Sequence, residues 1–88
     1  MGNSEYKNII QLEEDMLFLE SLSSKKEYSV FDNIKIIMIS NRFHDNLNEA
    51  IIVQHQSYAN RELYSYLEAL ISRSISTLKK FNASSMKY

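Results

Sequence analysis

The sequence predicts an all-α protein built as a three-helix bundle, and three observations carry that expectation. The 88 residues include no proline and a single glycine, Gly2, so the residues that most often stop helices or make tight turns are missing from the body of the chain. Apolar residues return at intervals of three and four through the first and last thirds, the period of one helix face. Polar stretches without that period separate them. At this length the chain reads as one domain, 1–88. Such a domain buries a smaller share of its surface than a larger one, which makes association an expected source of further burial.

The first helix, acidic overall, is expected over 4–23. Asn3 or Ser4 can cap it and Glu5 falls in its first turn, where the helix dipole favours a carboxylate. Ile9, Leu12, Met16 and Leu19 share one face, and Ile10 and Leu17 widen the stripe. Glu13, Glu14 and Asp15 are adjacent, so they diverge around the axis and read as a solvated acidic face, not as a catalytic carboxylate pair. "SLSSKKEYS", Ser21 to Ser29, reads as a loop.

The second helix is expected over 32–57, with Asp32 as its N-cap. A half-buried strand over 34–39 should alternate, but Lys35 is its one polar residue, so alternation fails. A strand buried on both faces is the alternative, since isoleucine suits a strand. The helical stripe is continuous through Ile36, Ile39, Phe43, Leu47, Ala50 or Ile51, and Gln54. The apolar run is wider than one stripe, so part of it should face a second subunit or another protein, and a dimer is expected.

The third helix is expected over 60–81. Asn60 can cap it, Glu62 lies in its first turn, and Leu63, Leu67, Leu70, Ser74 and Leu78 form its stripe, flanked by Tyr66, Ile71 and Ile75. Lys79 and Lys80 suit a helix C-terminus. The helical core is thus 32–81, and 82–88 reads as a frayed tail.

The net charge of -1 is unevenly spread, with three basic against seven acidic residues over 1–34 and six against four over 35–80. That is not the footprint of a strong nucleic-acid binder, which clusters Lys and Arg on one face. Without cysteine there is neither disulfide nor thiolate chemistry, which fits a reducing compartment. The start shows no basic-then-apolar signal, and no apolar run approaches the roughly 20 residues of a membrane span. The myristoylation pattern that Gly2 invites requires Ser or Thr where Tyr6 stands. A cytoplasmic protein that does not engage a membrane is expected.

Chemistry-bearing arrangements are sparse. His44 and His55 return to nearly the same helix face but would lie about 16 Å apart, too far to share an ion. No Gly-x-Ser-x-Gly elbow and no glycine-rich phosphate loop exist. The expectation is a non-enzymatic protein without cofactor or metal. Tyr58, Arg61, Tyr64 and Tyr66 cluster where the third helix begins. These residue types are enriched at interface hot spots, so the four are the candidates for a partner contact. The bland alternative is that Tyr58 and Tyr66 cap the core with hydroxyls in water.

Read as strand, helix, turn and helix, residues 34–78 resemble a ribbon-helix-helix repressor. "IKIIMIS" stands for the ribbon, "NRFHDNLNEAIIVQ" for the first helix and "NRELYSYLEALI" for the second, whose start is similar to the Asn/Ser, Glu, aliphatic opening of that family. The resemblance implies paired ribbons in the major groove, with Lys35, Arg42 and Arg61 as DNA contacts. The ribbon departs from the pattern, because Lys35 alone could read a base edge, and the turn lacks the usual glycine. Over residues 9–51, Ile9, Leu12 and Met16 followed by "SNRFHDNLNEA" resemble the helical hairpins of sporulation aspartyl-phosphate phosphatases. Ser40 and Phe43 match in kind, but His44 occupies the aspartate position and Asp45 falls one residue late.

The residues therefore lead to a small regulatory or adaptor protein that binds another protein through helical surfaces and self-associates, with a DNA-binding regulator as the alternative.

Overall fold

In the computed structural model residues 3–85 are described, with side chains described for 6–81. Three helices follow one another: α1 (Asn3–Leu22), α2 (Val30–Gln56) and α3 (Arg61–Ser85). The all-α three-helix expectation holds. At about 1.5 Å rise per residue α2 is about 40 Å long, close to the longest dimension of the molecule, 44 Å against 22 and 17 Å. The bundle is one α2 long and two helices thick.

Polar pairs fix the helix directions. Asn8 Nδ2 donates to Glu49 Oε2 at 2.7 Å and Arg42 Nε to Asp15 Oδ2 at 2.8 Å, so seven residues forward on α1 are matched by seven back on α2. The Tyr66 hydroxyl donates to Glu13 Oε1 at 2.8 Å and Arg73 to Glu20 Oε1 at 2.7 Å, so α1 and α3 advance together. The bundle runs up, down, up. Seven-residue register with apolar residues between the pairs is the arrangement of coiled-coil packing.

The core lies along that seam. Ile9, Leu12, Met16 and Leu19 of α1 meet Ile39, Phe43, Leu47, Ala50 and Val53 of α2 and Leu67, Leu70 and Ile71 of α3. Ile10 and Leu17 do not join it and are exposed. Each follows a core residue by one position, a rotation of about 100° that carries it off the arc α2 and α3 cover.

The start of α2 corrects two expectations. Ser29, not Asp32, is the N-cap: its hydroxyl accepts from the Asp32 backbone N–H at 3.0 Å, while the Ser29 N–H donates to Asp32 Oδ2 at 3.0 Å. This reciprocal capping box starts the helix two residues early. The helix then runs through 34–39 without a break, so the alternative strand does not form, and no strand exists among the described residues. The ribbon-helix-helix architecture loses its ribbon.

Asn60 does cap α3, accepting from the Leu63 N–H at 3.2 Å. Nothing in the sequence after Phe81 breaks a helix, and α3 continues to Ser85. The expected frayed tail, 82–88, is therefore helical to Ser85, and its last three residues lie outside the described ones. Lys79 and Lys80 consequently sit more than a turn before the end, and the last turn of α3 has no basic residue. The expected capping by Asn3 or Ser4 falls on side chains outside those described.

One core position is polar without compensation. Ser74 is fully buried, and among the described residues its Oγ has no hydrogen-bond partner, whereas the neighbouring Thr77 hydroxyl donates to the Arg73 carbonyl at 2.8 Å. Ser74→Ala removes the orphaned hydroxyl and installs a better helix former. It should raise the unfolding free energy by about 1 kcal/mol, read as a higher urea midpoint at unchanged slope.

Candidate protein-interaction surface

Starting α2 at Val30 brings Val30 and Phe31 into the helix, on the side of Ile34 and Ile37. The buried face of the helix points Ile39, Phe43 and Ala50 into the bundle. Seven of the ten residues over 30–39 are apolar, and the helix cannot turn all of them inward when its two neighbours cover one side. The remainder, Val30, Phe31, Ile34, Ile37 and Met38, emerges on the opposite face, with exposures of 77, 82, 54, 63 and 54 %. Farther along that face Asn41, Asp45 and Asn48 are polar and exposed, so the apolar face ends after Met38. Part of 34–39 lies outside the core, and Val30 and Phe31 extend this exposed face beyond the helix expected over 32–57. The signal that finds them is Ser29 followed three residues later by Asp32, ahead of an apolar run.

A second apolar feature lies at the same end of the bundle. Leu19, Ile36, Ile39, Phe43, Leu78 and Phe81, with Ser40 and His44, line a groove of about 190 Å³. That is below the roughly 300 Å³ at which small-molecule pockets begin.

At the far end, Tyr58, Arg61 and Tyr64 do come together, lining an open depression of about 430 Å³ with Ser65 and Glu68. Tyr58 is exposed, not a cap over the core. Tyr66 does not join them, because its hydroxyl reaches across to Glu13 on α1. Burial, then the hydrogen bond to Glu13, pushes the Tyr66 phenol up to about 12 from its ordinary 10.0. A raised value favours the neutral form, so this contribution to stability is complete below about pH 10 and is lost as pH rises through about 12. Alkaline titration followed by phenolate absorbance should show one tyrosine ionising last, and Tyr66→Phe should delete that step.

The three candidate DNA contacts are not one surface. Lys35 Nζ sits 4.4 Å from the centroid of the Phe18 ring, a cation–π contact. Arg42 forks onto Asp15, Nε to Oδ2 and Nη2 to Oδ1, both at 2.8 Å. This donation raises the Arg42 guanidinium above its ordinary value. Arg61 stands at the opposite end of the bundle, about 30 Å from Lys35 along α2 at 1.5 Å per residue.

Asp15 also corrects the solvated acidic face. Its side chain is 3 % exposed, held by Arg42 and by Gln11 Nε2 at 3.0 Å. The seven-residue register places it on the α1–α2 seam, which composition could not reveal. Asp32, by contrast, is held below its ordinary value first by the Ser29 backbone N–H and then by Lys25, whose Nζ lies 3.0 Å away. Its contribution is present above pH 3.8 and is lost as pH falls through its lowered value.

Among the described residues no three His, Cys, Asp or Glu side chains converge as a metal site. No described helix is long and apolar enough to cross a membrane. No protein-family model, curated protein or solved structure matches this chain.

Proposed function

We propose that the chain is a small non-enzymatic regulatory or adaptor protein that acts by binding another protein through helical surfaces. The observation that carries this reading is the second apolar face of α2. The largest apolar patch on a soluble monomer, typically about 300–600 Å², is often functional, and larger ones mark interaction sites. An amphipathic helix face presenting anchors at i, i+4 and i+7 is a common mode of helix-mediated recognition. Val30, Ile34 and Ile37 have that spacing. The Tyr58, Arg61 and Tyr64 depression offers a second contact at the other end, of the residue types that dominate interface energetics. The reading includes a homo-oligomer and a cytoplasmic setting, which the lack of cysteine suits.

The test is comparative affinity capture from an extract of the source cells, using the wild-type chain and Phe31→Ser/Ile37→Ser. Both positions are exposed, so the variant should keep the wild-type helical circular dichroism. A discrete protein set held by the wild type and lost by the variant supports the reading. Equal capture by both contradicts it.

A further inference from the structure

We infer that the occupant of the outer face of α2 is a second copy of the same chain, with the two α2 helices crossing antiparallel about a two-fold axis at Ile34. This rests on the reading of that face as an interface and narrows the protein bound there to a second copy, with the Tyr58, Arg61 and Tyr64 depression at the other end remaining for a different protein. A two-fold contact requires a surface complementary to itself, in which residue i meets j and j meets i. The exposed apolar positions satisfy that about one centre. Val30 and Met38 lie four residues before and after Ile34, and Phe31 and Ile37 lie three before and after.

Antiparallel crossing at Ile34 therefore sets Val30 against Met38 of the second copy, Phe31 against its Ile37, and Ile34 against itself. The ridge 30–34–38 follows the i±4 row that packs into the groove of a like helix in the commonest class of helix crossing. The face is also finite, since the chain before Val30 is loop and Asn41 and Asp45 follow it on the same side.

Charge and area agree with self-pairing. The two charged residues between Val30 and Met38 are already engaged within the chain, Asp32 with Lys25 and Lys35 with the Phe18 ring. Pairing two copies thus brings no like charges together at the centre. Each of the five side chains is more than half exposed. At roughly 100 Å² apiece they amount to about 500 Å² per copy, the upper range for a lone monomer and a large part of the ~800 Å² per partner in a stable interface.

The 88 residues include no cysteine, so single introduced thiols report the geometry without background. Sedimentation over a concentration series should show a monomer–dimer equilibrium. A short thiol cross-linker should join Ile34→Cys to itself, and join Val30→Cys to Met38→Cys in a mixture more efficiently than either variant alone. Ile34→Glu sets two carboxylates face to face on the axis and should raise the dimer dissociation constant at least about 100-fold, with unchanged circular dichroism because glutamate is a good helix former. Val30→Cys and Met38→Cys each linking to themselves but not to one another would overturn the antiparallel crossing. A monomer at every concentration would overturn the second copy as occupant. Protein capture that still depends on Phe31 and Ile37 would then leave the interface reading standing, and capture independent of them would remove both.

Discussion

Phe43→Ala is expected to lower the free energy of unfolding by about 3–5 kcal/mol. Phe43 is 1 % exposed at the middle of α2, packed where all three helices meet. Alanine loses the transfer free energy of the ring and leaves a cavity the helices cannot close without breaking the seven-residue register. An 88-residue domain has roughly 4–13 kcal/mol to lose, at 0.05–0.15 kcal/mol per residue. The variant should therefore unfold at much lower urea, followed by circular dichroism. Phe31→Ala is the internal control. It removes the same ring from the outer face of the same helix and, in dilute solution, should change unfolding by no more than about 0.5 kcal/mol. Similar losses from the two positions would contradict the assignment of inner and outer faces.

Arg42→Met is expected to cost about 3 kcal/mol. The pair is asymmetric: the Asp15 side chain is 3 % exposed while Arg42 is 38 % exposed. Removing the guanidinium leaves a buried carboxylate with the Gln11 amide as its remaining side-chain donor, so the desolvation cost of Asp15 is uncompensated. Asp15→Leu, which strands an Arg42 that can still reach water, should cost less. The double variant should recover much of the loss, since replacing a buried pair by apolar groups is often near neutral. A double-mutant cycle reads the coupling directly. A coupling no larger than the few tenths of a kcal/mol of an exposed ion pair would contradict the burial of Asp15.

Much of the fold was legible because periodicity is local. Ile9, Leu12, Met16 and Leu19 of one stripe and Leu67, Leu70 and Ser74 of the other are buried as the spacing required, with Leu63 and Leu78 partly buried at the ends of the second. What was not legible depended on partners distant in sequence. Asp15 looked like part of an acidic surface because its neighbours are Glu13 and Glu14, and its burial follows from Arg42, 27 residues away. Tyr66 looked like a companion of Tyr58 and Tyr64, and it left them for Glu13, 53 residues away. Ile10 and Leu17 looked like core because α1 alone does not say how wide an arc its neighbours cover.

The outer face of α2 was half legible. The excess of isoleucine at 34–39 announced apolar surface that one stripe could not use. Its true extent depended on Ser29, a capping signal that moved the helix start to Val30 and aligned Val30 and Phe31 with Ile34 and Ile37. The unbroken helix through 34–39 leaves no ribbon for the ribbon-helix-helix alternative.

On the proposed reading α2 has two apolar faces, one buried by its own bundle and the other by association. Isoleucine methyl relaxation by a soluble paramagnetic agent, measured over a protein concentration series, separates the two faces. Ile39 should be shielded at every concentration, Ile10 and Ile52 exposed at every concentration, and Ile34 and Ile37 exposed when dilute and shielded when concentrated. Ile34 and Ile37 tracking Ile39 in dilute solution, or tracking Ile10 and Ile52 throughout, would contradict that reading.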